Sequence, residues 1–394
     1  MGSATLLLAL SFLSVLITAP RAQASFKCSS GPTCNALVGY VSPNTTTLSA
    51  IQTLFGVKNF RTLLGANSLP ASTPTNQSVA AKDKIVIPFR CRCSNGTGIS
   101  NHRPVYTVQK DDGLYHIAAE VFAGLVTYQE IQAVNNISDA NLIEVGQELW
   151  IPLPCSCDEV NESKVVHYGH VVESGSSVAE IAEKYGTTEE TLLELNNITD
   201  PKNLKAGDVL DVPLKACTSV VKNTSLDYPL LLSNGTYAYT ANNCVKCQCY
   251  SANNWTLQCE QSGLNITNGT CPSMECGSSG LSIGNSTSTT CNRTTCAYAG
   301  YTNQTIFTSL VESTCSSTNN APSYASKITL PSWRWNFVSY MDMNPRRGQW
   351  PSICGGAVVG SLARPIAIPI HRAFAKHLIS IPNRTSWKWD RGWP

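Results

Sequence analysis

A unit of about 60 residues occurs three times in the first half of this chain, and this repetition constrains the fold more than any other feature. The two clearest copies cover residues 105–152 and 170–213. Each contains Asn-Asn-Ile near its middle and ends on Gly-x-x-Leu-x-(Ile/Val)-Pro. A degenerate copy ends at Pro88; it lacks a clear opening strand motif and carries a longer loop at 70–81. Such repetition indicates an array of small modules that pack on one another.

In both clear copies, apolar residues recur with the period of an amphipathic helix, at Leu114, Ile117, Ala118 and Val121 and at Val178, Ile181, Ala182 and Tyr185. Thr127 and Glu130 form a capping-box pattern that predicts the start of a second, short helix. Thr187 and Glu190 give the next copy the same pattern. The flanks of each copy are β-prone, and a Pro ends each closing flank. We therefore predict a unit of strand, helix, helix and strand.

This order of motifs, with Tyr106-Thr107-Val108 at the opening, resembles the LysM module. The resemblance implies an α+β fold of three tandem βααβ LysM modules cross-linked by disulfides, then a small Cys-rich domain and a disordered C-terminal tail. LysM modules of this family bind polymers of N-acetylglucosamine, namely chitin oligomers and peptidoglycan glycan strands. The boundaries that we expect are a signal peptide at 1–24, modules at 28–93, 104–157 and 168–217, a Cys-rich glycosylated segment at 218–320 and an atypical tail at 321–394.

The N-terminus and the composition predict an extracellular protein. An apolar run at 6–17, followed by Ala22-Gln23-Ala24, is typical of a signal peptide and is too short to span a bilayer. The 17 Cys residues suit an oxidising compartment, and the net charge of +2 gives no case for a nucleic-acid partner. Fifteen Asn-x-Ser/Thr motifs predict a heavily glycosylated surface, at Asn44, Asn76, Asn95, Asn136, Asn161, Asn197, Asn223, Asn234, Asn254, Asn265, Asn268, Asn285, Asn292, Asn303 and Asn383.

Six Cys residues flank the modules, and cross-links between them make physical sense because each module buries little apolar surface. Spacing alone leaves 15 connectivities open. Two Cys-x-Cys pairs close the first two modules, and over roughly residues 28–217 they make the chain similar to plant LysM receptor ectodomains. Carried over position by position, that resemblance implies the pairs Cys28–Cys93, Cys34–Cys157 and Cys91–Cys155.

The next segment contains a Cys-x-x-Cys-x-Cys cluster at Cys244, Cys247 and Cys249. Thiolates at that spacing can share a tetrahedral zinc ion. In a secreted chain, disulfides are the better interpretation, so we predict no metal and no cofactor. The segment is interpreted as a small disulfide-linked domain or a stalk. It is similar to the Cys-rich segment of the GPI-anchored class of plant LysM receptor-like proteins.

The C-terminal region has a different composition. From Pro331 to Pro394 there are nine Lys or Arg residues against two Asp residues, together with six Trp residues. The family resemblance predicts a GPI anchor at the plasma membrane, but the apolar terminus that a GPI signal needs is missing here. Our hypothesis is that this tail derives from an alternative splice or gene model and gives a secreted form.

In the LysM family the sugar lies between the loop after the first strand and the loop after the second helix. The resemblance therefore implies a ligand site in the second module, formed by Lys110, Asp111, Asp112, Gly113, Leu114 and Tyr115 with Ser138, Asp139, Ala140, Asn141, Leu142 and Ile143. The corresponding loops of the third module are 174–177 and 199–204. Loop backbone groups pair with the acetamide of the sugar, and an apolar side chain packs on its methyl group.

Each of these residues also has a purely structural interpretation. Gly113 and Gly175 suit turn geometry, Leu142 and Leu204 suit a core, and Asn135 and Asn196 suit a helix cap. The glycosylation motifs at Asn136 and Asn197 adjoin the second loop of each module. Glycans there are expected to shield part of a groove.

Three classes of function remain open: a LysM-bearing glycan hydrolase, a cell-wall tether and a receptor. We expect no catalytic residue, because the acids of residues 218–330 are only Asp227, Glu260, Glu275 and Glu312 and no His accompanies them. A cell-wall tether would use the modules only as an anchor. The resemblance favours a pattern-recognition receptor of plant innate immunity, which binds chitin or peptidoglycan oligosaccharides. It would signal through a transmembrane LysM receptor kinase, as a homo- or hetero-oligomer.

Overall fold

The computed structural model describes residues 26–29, 33–264 and 270–314. The predicted signal peptide, the predicted tail, Cys315 and Cys354 lie outside the described residues. So do three of the glycosylation motifs, at Asn265, Asn268 and Asn383.

The first copy opens on a strand, although its sequence carries no clear opening strand motif. It consists of β1 (Thr33–Val41), β2 (Thr46–Thr47), α1 (Leu48–Leu54), α2 (Phe60–Ala66), β3 (Ser78–Val79) and β4 (Lys84–Ser94). β1 pairs with β4 in antiparallel register from Thr33–Arg92 to Val41–Lys84. Because most of β1 is buried on both faces, its sequence lacks the polar alternation that reveals a half-buried strand. Gly39 is required within it, since a Cβ there would clash with the Tyr168 hydroxyl.

The two clear copies have the predicted order of elements. β5 (Thr97–Ser100) leads to the second copy, which consists of β6 (Val105–Thr107), α3 (Leu114–His116), a π turn (Ile117–Val121), α4 (Tyr128–Val134) and β7 (Glu148–Trp150). The third copy consists of β8 (Val165–Val171), α5 (Val178–Tyr185), α6 (Glu189–Leu195) and β9 (Val209–Lys215). The predicted first helix of the second copy is therefore only one α-helical turn that continues as a π turn. Gly113 at its N-cap supplies no side-chain hydrogen bond.

One of the two predicted capping boxes is confirmed. The Thr127 side chain accepts from the Glu130 N–H, and the Glu130 carboxylate accepts from the Thr127 N–H. The capping box predicted at Thr187 was wrong, because Thr188 is the N-cap of α6 and its side chain accepts from the Thr191 N–H. Two adjacent Thr residues offer the same cap, and the backbone uses the later one.

An asparagine fastens the second helix of each copy to its closing strand. Its Nδ2 donates to a carbonyl four residues back in the helix and to a strand carbonyl, and its Oδ1 accepts from the N–H of that same strand residue. All nine distances are 2.7–2.9 Å, at Asn67 with Val86, Asn135 with Trp150 and Asn196 with Asp211. Asn135 and Asn196 are thus scaffold residues at the helix C-cap, as the structural interpretation expected.

The copies are joined by a sheet, a core and disulfides. β1 pairs in parallel with β8, which gives a five-stranded sheet in the order β5-β4-β1-β8-β9, while β6 and β7 pair separately. Edge-to-face aromatic contacts run from Tyr40 through Phe55 and Phe122 to Tyr106, with ring centroids 4.9, 5.5 and 5.9 Å apart. This aromatic series forms a core shared by the first two copies.

The structure contains the three disulfides that the resemblance implies: Cys28–Cys93, Cys34–Cys157 and Cys91–Cys155. The sulfur atoms of four of these residues lie within 4.8 Å of one another, but each belongs to a disulfide. The bridges close loops of 64 to 123 residues. Loops of this length restrict the unfolded chain strongly, which stabilises the small modules.

The Cys-rich segment forms two three-stranded sheets. They are β10 (Tyr237–Thr240), β11 (Val245–Gln248) and β12 (Gln258–Gln261), then β13 (Ser286–Ser288), β14 (Asn292–Tyr301) and β15 (Ile306–Thr314). The zinc alternative is excluded, because the three Cys of the cluster form the disulfides Cys244–Cys271, Cys247–Cys259 and Cys217–Cys249. A further disulfide joins Cys276 to Cys296.

This segment packs against α2. The Tyr237 hydroxyl donates to the Leu69 carbonyl at 2.6 Å, and the Ser68 hydroxyl donates to the Gly235 carbonyl at 2.7 Å. Gly65 permits the close approach, because a Cβ there would clash with the Tyr237 carbonyl. The segment is therefore a docked domain and not a free stalk. Within the described ranges, no helix is long and apolar enough to cross a membrane.

Candidate functional site

The two predicted ligand loops of the second copy leave the same end of its strand pair. The Val108 N–H donates to the Gln147 carbonyl, and the Gly146 N–H donates to the Val108 carbonyl, both at 2.9 Å. The first loop begins two residues after Val108, and the second loop ends three residues before Gly146. The two loops are therefore neighbours where they leave the strand pair.

Asp112 shapes the first loop. Its carboxylate accepts from the Gln109 N–H at 2.7 Å and the Tyr106 hydroxyl at 2.8 Å, and it contacts His116 Nδ1 at 2.8 Å. Burial alone would raise the pKa of Asp112, but these donors outweigh it and the pKa is lowered. Burial and this carboxylate raise the pKa of Tyr106 to about 12. With its side chain only 3% exposed, Asp112 supports the loop from beneath.

The outer surface of the first loop is formed by its other residues. Leu114 is buried in the core, whereas the neighbouring Tyr115 is 70% exposed. The turn itself depends on Asp111, which has a φ of +68°. Gly113 has a φ of −126°, so turn geometry does not require a glycine there. A Cβ at Gly113 would meet no atom within 4 Å, which shows that the space above it is open.

In the second loop, Asp139 closes a turn. Its Oδ1 accepts from the Asn141 N–H at 2.9 Å, and its carbonyl accepts from the Leu142 N–H at 2.9 Å. Ala140 and Ile143 are half-buried against the core, and Ser138 is exposed. Leu142 is 70% exposed, so its interpretation as a core residue was wrong.

A further exposed apolar residue, Val145, follows the second loop and is 69% exposed. Val145 was not among the predicted site residues. The available signal was an apolar residue directly before Gly146, in the segment that joins the second loop to the closing strand.

The corresponding loops of the third copy share the backbone pattern but not the apolar side chains. Asp200 Oδ1 accepts from the Lys202 N–H at 2.9 Å, as Asp139 does from Asn141. Asn203 stands where the second copy has Leu142 when counted from these turns, and Ala179 stands where it has Tyr115 when counted from the N-caps of the first helices, Gly113 and Ser177. Leu204 packs against the core, and Gly175 has a φ of +86°, so both fit the structural interpretation.

The asparagines of all 12 glycosylation motifs within the described ranges are exposed. Asn136 and Asn197 each have a φ of +53° and follow the asparagine that fastens the second helix. Each therefore lies at the start of the second loop of its copy. The side chain of Asn136 is accessible for modification beside the loops of the second copy.

Asp227, one of the four acids considered for catalysis, is engaged in a polar network. It accepts from the hydroxyls of Ser225, Thr240 and Tyr298, the latter two at 2.7 and 2.8 Å. Burial is the main cause that raises the pKa of Tyr298, and the neighbouring Asp227 adds to it. These bonds tie β10 to β14 and give Asp227 a structural role.

This fold and this pair of loops define a protein built of LysM modules. The LysM domain family model matches residues 106–152 and 170–213. The chain is 49% identical over 337 residues to LysM domain-containing GPI-anchored protein 2 of Arabidopsis thaliana, covering 84% of this chain and 93% of that protein. It therefore belongs to the plant family of LysM domain-containing GPI-anchored proteins.

Two other similar proteins carry functional names. Chitin elicitor-binding protein of Oryza sativa subsp. japonica is 43% identical over 328 residues, covering 82% of this chain and 91% of that protein. A crystal structure of the ectodomain of a receptor like kinase is 24% identical with a TM-score of 0.40, covering 47% of this chain and 92% of that chain.

Proposed function

We propose that this protein is an extracellular pattern-recognition receptor that binds N-acetylglucosamine glycans, chitin oligomers or peptidoglycan, in the groove of its second module. The observation that carries the proposal is the pair of exposed apolar side chains, Tyr115 and Leu142, on two loops at the same end of one strand pair. The similarity to a chitin elicitor-binding protein supports a ligand of this class.

The loops offer the groups that the sugar requires. Among the described residues, the N–H groups of Ala140 and Ile143 have no protein hydrogen-bond partner and are free to bind the acetamide oxygen. The acetamide methyl packs on Leu142, and the apolar face of a sugar ring packs on Tyr115. The exposed Lys110, Asp111 and Asn141 bind hydroxyl groups at the rim.

A single site formed by two exposed loops binds weakly, in the micromolar to millimolar range. A polymer presents the same unit many times, so several chains bound to one polymer bind it far more tightly than one chain does. The repeating ligand and the weak individual site therefore suit a receptor that responds to polymer length.

We propose further that residues 28–93 form a third LysM module, with the other two at 104–157 and 168–217 and the Cys-rich domain at 218–320. The fastening asparagine supports this, because Asn67 repeats the bonds of Asn135 and Asn196. The turn that precedes the closing strand supports the proposal as well. In the first copy the Lys82 N–H donates to the Ser42 carbonyl, and in the second copy the Gly146 N–H donates to the Val108 carbonyl in the same way. Lys82 has a φ of +71° and Gly146 one of +88°.

In this proposal the protein acts at the cell surface and performs no catalysis. Signalling passes to a transmembrane LysM receptor kinase, and a homo- or hetero-oligomer forms on the polymer. The test is the response of plant cells that lack the protein to soluble chitin octamer and to solubilised peptidoglycan. We expect the response to one of them to be lost and to be restored by the intact chain but not by a Tyr115→Ala/Leu142→Ala variant. An unchanged response would instead indicate a cell-wall tether.

A further inference from the structure

A cavity of about 400 Å³ lies between the first module, the five-stranded sheet and the Cys-rich domain. Its walls are the connection between α1 and α2 at 55–59, sheet residues of β1, β4 and β8, and residues 231–238 of the Cys-rich domain. Neither ligand loop of the second module lines it. A volume of this size is that of a small-molecule site.

The interior of the cavity is mainly apolar. Its lining includes Leu37, Val57, Phe89, Leu231 and Ala238. This surface favours an organic group with an apolar body, because burial of apolar area releases water from both surfaces.

Positive charge borders this apolar surface. Lys58, Arg90 and Arg103 line the cavity, and no lining residue is an Asp or a Glu. None of these three cations takes part in an ion pair with an acid of the described residues. The cavity therefore carries an excess of three positive charges with no internal counterion.

Two of the guanidinium groups are positioned by the surrounding structure. Arg90 donates to two neutral oxygens, Asn35 Oδ1 at 2.9 Å and Thr33 Oγ1 at 3.0 Å. Arg90 is itself exposed at the edge of the cavity, so its guanidinium N–H groups are accessible to an anion that enters from solvent. Arg103 lies over Gly56, where a Cβ would be 3.3 Å from its Nη1.

From the apolar interior and the unpaired cations at its wall, we propose that this cavity binds a small organic carboxylate with an apolar body. The hydrocarbon part fills the space between the sheet and residues 231–238, and the carboxylate accepts hydrogen bonds from Arg90 and Arg103. A neutral compound of the same shape leaves the cations without a counterion.

The test uses the full secreted chain with octanoate as the probe and octan-1-ol as its neutral match. Calorimetric titration should show saturable binding of one octanoate per chain and at least tenfold weaker binding of octanol. Arg103→Gln and Arg90→Gln should each weaken octanoate about tenfold and leave octanol unchanged. Arg92→Gln is the matched control, because Arg92 lies on the same strand and contacts His102 outside the cavity lining.

A further variant reduces the volume of the cavity and so tests whether the probes bind inside it. Ala238→Leu adds bulk inside the cavity and should abolish binding of both probes. Its melting temperature without ligand, and its chitin binding, will show whether the chain has folded. Equal affinity for octanoate and octanol, no saturable binding, or an unchanged octanoate affinity in Arg103→Gln would overturn the proposal. Since the cavity is separate from the second module, chitin binding should be the same in every variant as in the unaltered chain. An unaltered chain that does not bind chitin would contradict the proposed glycan site and would not bear on the carboxylate site.

Discussion

Removal of the apolar side chain of Leu142 should weaken glycan binding without affecting stability. Full burial of a leucine side chain is worth about 1.5–3 kcal/mol. Leu142 is 70% exposed in the unbound protein, and one face of a sugar covers roughly half of that surface. Leu142→Ala should therefore cost about 1 kcal/mol, or roughly a fivefold loss of affinity. Tyr115→Ala should cost a similar amount, and the two together should cost roughly thirtyfold if their effects add.

The assay is calorimetric titration with chitin octamer, together with thermal unfolding of each variant. The matched control is Leu226→Ala, because Leu226 is 56% exposed but lies in the Cys-rich domain. The control should bind as the unaltered chain does, and all variants should unfold at the same temperature. Equal affinities for the double variant and the control would refute the assignment of the site to these loops.

Three further predictions concern the scaffold. Asn196→Ala removes three bonds in a buried site and should lower the free energy of unfolding in urea by about 2–4 kcal/mol; a loss below about 0.5 kcal/mol would contradict its fastening role. Gly65→Ala places a Cβ against the Tyr237 carbonyl and should expose residues 218–236 to limited proteolysis, whereas an unchanged cleavage pattern would count against the docked domain. Burial, with nearby lysines, lowers the pKa of His170 to about 4, so the folded chain holds it neutral. Above the unfolded-state pKa of about 6.5, His170 is neutral in both states and the full stability is present. As the pH falls from there toward 4, only the unfolded state gains the proton, so the free energy of unfolding decreases by on the order of 3 kcal/mol. His170→Asn should flatten this part of the stability profile, and a profile that keeps its slope would argue against the assignment.

Much of the second and third copies was predictable because their local signals agree with the fold. Apolar residues at helical spacing are buried at Leu114, Ile117, Val178 and Ile181. The capping box at Thr127 marks the start of α4. Local pattern and tertiary packing reinforce each other at these positions, so the pattern alone predicts them.

The missed features depend on contacts between distant residues. The strand β1 is buried by β8, and the pattern of its own residues does not show that partner. The placement of Gly65 against Tyr237 likewise depends on a domain that begins more than a hundred residues later. In the candidate glycan site, the start of α3 at Leu114 determines that Tyr115, and not Leu114, faces solvent. A helix that began one residue earlier or later would change this, and sequence patterns locate helix ends only to within one or two residues.

Calorimetric titration of the full chain with chitin octamer and, separately, with solubilised peptidoglycan tests the proposed receptor function directly. We predict saturable heat with at least one of them, with a dissociation constant in the micromolar to millimolar range and loss of the signal in the Tyr115→Ala/Leu142→Ala variant. No heat with either polymer, from a chain that unfolds cooperatively, would contradict the glycan-receptor function.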